Sequence, residues 1–213
     1  MSGTDGGADA LALTSAADPA EPTDGRVRRA TRSRQLVVET FLDLLDEGEP
    51  QPTAQQVATR SGVSMRSIFR LFDDVEAMHT AAIATQISRV RHLLVELPHE
   101  GPLDGRIAAL VASRAEIFEV ISPVRRMAVR LAPTSRPIRT DLDRANVYFR
   151  TQVEGVFAPE LSTEPARRRR DRVDALDVVT SWETWERLRT VQHRSVREAT
   201  RIVTGLVERT LAG

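Results

Sequence analysis

The chain has 213 residues, and its thirty cations balance thirty carboxylates, leaving no formal net charge. Neutrality excludes a protein that coats nucleic acid indiscriminately, and the absence of cysteine excludes disulfides, thiol redox sensing and thiolate metal sites. No apolar run approaches the roughly 20 residues that a membrane span requires, so no membrane partner is expected. Every cation is arginine, a composition bias more than a mechanism.

Charge is distributed unevenly at the start. Residues 1–24 carry Asp5, Asp9, Asp18, Glu21 and Asp24 and no base, whereas residues 25–36 carry Arg26, Arg28, Arg29, Arg32 and Arg34 and no acid. Residues 1–27 are expected to be a disordered arm. Residues 1–24 lack the cationic start and apolar centre of a secretion signal, which points to a cytoplasmic protein. The arginines suit the minor groove or the phosphates of a duplex, each neutralised phosphate adding affinity through counterion release.

Three short helices follow, with their caps visible. Thr53 and Gln56 have capping-box spacing, so a helix starts at Thr53, with Val57 and Ala58 facing inward. Ser61-Gly62 stops it, because glycine enters the left-handed conformation of a tight interhelical turn without steric cost. Val63 plugs the gap. Ser64 caps the next helix, in which Ile68, Phe69 and Phe72 lie on neighbouring faces while Met65, Arg66, Ser67 and Arg70 point outward. Asp73 or Asp74 starts a third helix, whose apolar positions persist to Pro98. Outward polar and basic groups in the first turn of a second helix are what a major-groove reader needs.

Farther on, helices are expected at about 103–120, ended by Ser122-Pro123; about 124–131, ended by Pro133; and about 138–158, ended by Pro159. A helix opening with Arg167–Arg170 then carries Val173, Leu176, Val179, Trp182, Trp185 and Leu188. Ser195 and Glu198 form a second capping box ahead of a stripe that includes Ile202, Val203 and Leu206. The four arginines point in different directions beside Asp171 and Asp174, which suits a solvated helix start. No strand pattern competes, so the class is all-α.

Residues 32–83 resemble the DNA-binding domain of TetR-family transcriptional regulators: RSRQLVVETFLDLLDEG is similar to the family's first helix and GVSMRSIFRLF to its recognition segment. The resemblance implies an N-terminal three-helix DNA-binding head with a helix-turn-helix at 28–75 and a C-terminal helical ligand-binding and dimerisation body at 76–213. It implies DNA contacts from Arg32, Thr53, Ser64, Met65, Arg66, Ser67, Phe69 and Arg70. Two departures concern phosphate contacts, since Phe69 stands where the family usually has tyrosine and Val75 where it has lysine. Arg66 then Ser67 replace the common glycine then threonine; Arg66 suits either a guanine or a phosphate.

By the same resemblance the last two helices pair with their copies in a homodimer, with Val173, Leu176, Val179, Ile202, Val203 and Leu206 at the interface. The middle helices enclose a small-molecule effector, for which Phe118, Met127, Leu131, Tyr148, Phe149, Val153, Trp182 and Trp185 are candidate lining residues. Ordinary core packing is the competing role for each of them. The expected function is a sequence-specific regulator of a double-stranded DNA operator, a repressor released by its ligand. The alternative is a helical homodimer that binds a protein partner or ligand, its head having lost DNA affinity.

Enzyme chemistry finds no footing. His79, His92, His99 and His193 are scattered with no metal-ligand spacing, and no phosphate-binding glycine loop or nucleophile elbow is present. No catalytic residue, metal or cofactor is expected.

Overall fold

The computed structural model describes residues 25–213, and these contain helices but no strand. The acidic stretch 1–24 lies outside the described residues. In order, the helices are α1 (Gly25–Asp46), α2 (Ala54–Ser61), α3 (Met65–Leu71), α4 (Val75–Val90), α5 (Leu103–Leu131), α6 (Arg136–Val156), α7 (Ala158–Ser162), α8 (Ala166–Val179), α9 (Trp182–Glu186) and α10 (Val196–Ala212). A 3-10 turn, Arg91–Leu93, follows α4, and a π turn, Arg187–Val191, follows α9.

Two compact units result. Among the described residues, one comprises 25–91 with Pro123–Leu142, and the other 92–122 with Asp143–Gly213. The division differs from the expected break after residue 75, because the end of α5 and the start of α6 belong with the first unit.

The core of that first unit is built from Val37, Val38, Phe41, Leu42 and Leu45 of α1, Val57 of α2, Ile68 of α3, Phe72, and Met78, Ala82 and Ile83 of α4. Val124, Met127, Ala128 and Ile138 complete it. Two polar ties join the same segments: Arg130 donates to the Pro50 carbonyl, and the Ser135 hydroxyl donates to the Glu76 carboxylate.

Residues 25–27, expected in the disordered arm, are helical, and α1 runs seven residues ahead of the first-helix start expected at Arg32. None of residues 25–36 is buried, so this stretch owes its form to the helix propensity of Arg, Ala and Gln and to its lack of an interior Gly or Pro. Arg34 then anchors it. Its guanidinium donates to the Leu71 carbonyl at 3.2 Å and lies 4.2 Å from the centre of the Phe72 ring.

His79 is buried in this unit against Phe41, and its Nε2 has no hydrogen-bond partner. Burial pulls its pKa below the ordinary 6.5, outweighing the opposing pull of Glu76 and Asp74. The unfolded chain therefore takes up the proton more readily. Stability from this group is complete above about pH 6.5 and is lost as the pH falls. Denaturant titrations should show a less stable protein at pH 5.5 than at pH 7.5, with His79→Leu removing part of the difference; an undiminished difference would clear His79 of the effect.

Three expected breaks are redrawn. α5 is continuous through Pro123, which was expected to end a helix. An interior proline costs roughly 3 kcal/mol, but residues on both sides of it are buried, Ile117 and Phe118 in one unit and Val124 and Met127 in the other. Pro159 sits in the first turn of α7, where its missing N–H is no loss. The long helix expected after Pro165 stops at Val179; Thr180 Oγ1 turns back to the Leu176 carbonyl, and Ser181 caps α9 through the Thr184 amide.

The second unit is centred on Phe118, Phe157, Trp185, Leu176 and Val203. Both indoles have internal acceptors: Trp182 Nε1 donates to Ser122 Oγ at 2.9 Å and Trp185 Nε1 to Glu119 Oε1 at 2.8 Å.

Candidate nucleic-acid interface

The helix-turn-helix is set by its caps. Thr53 accepts from the Gln56 amide while the Gln56 side chain accepts from the Thr53 amide, forming the box that starts α2. Gly62 adopts φ 71° and donates its N–H to Ala58 O, ending α2 in the left-handed turn. Ser64 caps α3 through the Ser67 amide at 3.2 Å, and Asp74 caps α4 through the Ala77 amide at 2.7 Å. Ile68 and Phe72, 2% and 3% exposed, seat α3 on the core, so its outer face is fixed by its inner one.

That outer face is Arg66, Phe69 and Arg70. Phe69 is 53% exposed, and therefore does not share the inward role of Ile68. Neither arginine pairs with a carboxylate among the described residues, and the same holds for Arg29 and Arg32 on the exposed part of α1. Four uncompensated guanidinium groups and an exposed aromatic ring thus lie within one unit. The arginines at 26 and 28 add to the exposed positive charge of α1.

The remaining expected contacts are placed differently. Met65 is half-buried and packs against the core. The Ser64 and Ser67 hydroxyls bond each other at 3.0 Å, and the Thr53 hydroxyl serves its cap. These three hydroxyls are engaged at the starts of α2 and α3, Thr53 and Ser64 being exposed and Ser67 half-buried.

The eight candidate ligand-lining residues are not brought together. Met127 and Leu131 pack in the first unit, whereas Phe118, Tyr148, Phe149, Val153, Trp182 and Trp185 are buried in the second. A cleft of about 540 Å³ in the second unit is lined instead by residues that include Arg150, Glu154, Leu161, Arg169, Arg170 and Val173. None of the eight lines it. The arginines at 167–170 are exposed, as expected for a solvated helix start. Arg150 is held by Glu154, Asp174 and Asp177.

The expected dimer residues divide in two. Val173, Leu176 and Val203 are 6%, 0% and 2% exposed, consumed by the core of their own unit, and have no surface left to offer a partner. Val179, Ile202 and Leu206 are half-buried. Periodicity revealed the stripe but could not apportion it between the two packings. Val178, 64% exposed near the end of α8, falls outside the three-residue spacing to which its neighbour Val179 belongs.

No protein-family model matches the sequence, and no curated protein matches it either. Solved structures do match in shape. A tetR-family transcriptional regulator from Streptomyces coelicolor is 19% identical with a TM-score of 0.63, the match covering 84% of this chain and 79% of that one. A transcriptional regulator from Rhodococcus sp. Rha1 is 15% identical with a TM-score of 0.64, over 85% of this chain and 97% of its own. A protein from Syntrophomonas wolfei described as a TetR-family regulator gives 16% identity and a TM-score of 0.54, over 86% and 96%. With its capped helix-turn-helix at α2 and α3 and its helical C-terminal part, the chain has the fold of the TetR-family transcriptional regulators.

Proposed function

We propose that this chain is a cytoplasmic, homodimeric, sequence-specific regulator of transcription, a repressor that leaves its operator when a small molecule binds. The outer face of α3 carries the reading: Arg66 and Arg70 stand exposed and unpaired on a short helix that Ile68 and Phe72 hold in place. Exposed guanidinium groups on a seated recognition helix suit base edges and phosphates. Arg29 and Arg32 extend the positive surface along α1, now as a helix and not as a flexible arm. A dimer would set two such helices about 34 Å apart, one turn of DNA, and favour a near-palindromic site. Val179, Ile202 and Leu206 keep enough surface to contribute to it.

Release would be a shift of population, since a ligand that prefers the state with badly spaced heads lowers DNA affinity by that preference alone. The ties from Arg130 to Pro50 and from Ser135 to Glu76 support a route by which α5 and α6 bear on the head.

Phe69 and Val75, 53% and 42% exposed, favour a second reading. Apolar side chains at two positions where phosphate-binding groups are expected suit a protein partner better than a polyanion. Selection of purified protein against random duplex DNA at near-physiological salt decides between the two. Enrichment of a near-palindrome is the expected result; folded, dimeric protein that enriches nothing would sink the regulator reading in favour of the second.

A further inference from the structure

The helix α3 has only seven residues, about two turns. Backbone bonds alone do not sustain so short a helix, and its direction is set by what grips it from outside. Ser64 holds its start through the Ser67 amide, and Ile68 and Phe72 hold its inner face. The far end is held from α1. Arg34 donates through Nη1 to the carbonyl of Leu71, the last residue of α3, and its guanidinium lies over the Phe72 ring, 4.2 Å from the centre.

This contact is chemically specific. The final carbonyls of a helix find no partner within it and form the negative end of its dipole, which favours a cation that donates to one of them. A planar guanidinium lies flat on an aromatic face while an edge N–H reaches an acceptor beside that face; a tetrahedral ammonium on a shorter stem cannot do both. The Leu71 carbonyl is the one hydrogen-bond acceptor of Arg34 among the described residues. Arg34 is itself exposed, so its contact adds little to the core. Its placement is what distinguishes it. Arg32 and Arg29 precede it on the outside of α1, and Arg70 immediately precedes the carbonyl that it holds. A single side chain thus connects the two elements that carry the uncompensated cations.

We propose that Arg34 is a positioning residue for DNA recognition: by tying the end of α3 to α1, it keeps Arg66 and Arg70 in register with Arg29 and Arg32, so that both sets meet one duplex together. The proposal rests on the regulator reading above. Arg34 acts through α3, and its effect falls on discrimination between sequences. Reading base edges requires a helix held in one orientation, whereas general attraction to the phosphates depends on charge.

The test is Arg34→Lys in the full chain, a change that keeps the charge and removes the flat fork. Affinity is measured for a duplex enriched from random DNA and for the same duplex with its sequence scrambled, both at near-physiological salt. Discrimination between them should fall at least about tenfold, with affinity for the scrambled duplex within about threefold of wild type. The melting temperature should stay within about 3 °C, which a role in general stability would not allow. Hydrogen exchange without DNA supplies an independent measurement. The amides of Arg70, Leu71 and Phe72 should exchange at least about fivefold faster, while those of Val57 and Ala58 in α2 keep their rates. Undiminished discrimination overturns the proposal, as does unchanged exchange at the end of α3. Equal loss on both duplexes overturns it too, because that is the mark of a plain phosphate contact. If no duplex is enriched, the regulator reading falls and the recognition role of Arg34 falls with it, whereas an enriched duplex with undiminished discrimination removes Arg34 alone.

Discussion

Arg66→Ala should weaken binding to the selected operator by about 1 to 3 kcal/mol, roughly five- to 150-fold, and leave the melting temperature unchanged. The dissociation of the two effects follows from placement. Arg66 is exposed and unpaired, so its loss removes no native contact, and surface changes of that kind stay within about 0.5 kcal/mol of neutral. Arg70→Ala should behave alike. Selection repeated with each variant separates their roles: relaxed preference at one base pair marks a base contact, and uniform weakening with a shallower salt dependence marks a phosphate contact. Phe41→Ala supplies the contrast. That ring is wholly buried, and its removal should cost about 3 to 5 kcal/mol and abolish binding through unfolding.

Phe69→Tyr tests the same surface by addition. A phenolic hydroxyl on an already exposed ring adds a donor without disturbing the core, and a hydrogen bond to a phosphate contributes roughly 1 kcal/mol or more, about fivefold in affinity. Tightened DNA binding would show that the duplex crosses the outer face of α3. No change, with Arg66→Ala also silent, would place the partner of Phe69 and Val75 elsewhere and favour the protein-binding reading.

Features encoded over three or four residues could be read from the chain before its fold was known. The Thr53–Gln56 and Ser195–Glu198 boxes, the Ser64 and Asp74 caps and the left-handed Gly62 all form where their spacing places them. Each is satisfied within its own turn of helix, so distant sequence has no vote. Pro123 was misread for the opposite reason: its local preference is to end a helix, and burial of Phe118 and Val124 on either side overrides it. The fates of Arg106 and Arg114 were hidden as well. Their partners, Glu160 and Gln152, lie 54 and 38 residues away, and no short-range pattern distinguishes a buried arginine that has a carboxylate from one that lacks it. Stripe membership failed in the same way, since a buried Val203 and a half-buried Leu206 belong to one periodic pattern.

Glu160→Ala should be among the most damaging single changes in the second unit. Arg106 sits beneath it with Nε donating to the Gly101 carbonyl and Nη1 to the Val156 carbonyl, so the pair ties the start of α5 to the end of α6 and to α7. Removing the carboxylate strands a buried guanidinium, at a cost of about 3 kcal/mol, the low end for buried pairs because the Glu160 side chain keeps 25% exposure. For a chain of this size the melting temperature should fall by roughly 6 to 12 °C. The hydrogen bonds from Arg106 hold the Glu160 carboxyl below the ordinary carboxylate pKa. Its contribution is therefore complete above the unfolded value of about 4.3 and is lost as the pH drops through the lower folded value. The gap between wild type and variant should be constant from pH 8 to 6 and close in stronger acid. A gap independent of pH throughout would mean that Glu160 acts through packing and not through its charge. Replacing both partners by leucine should recover most of the loss, because what destabilises the single variant is the stranded charge and not the absence of the pair.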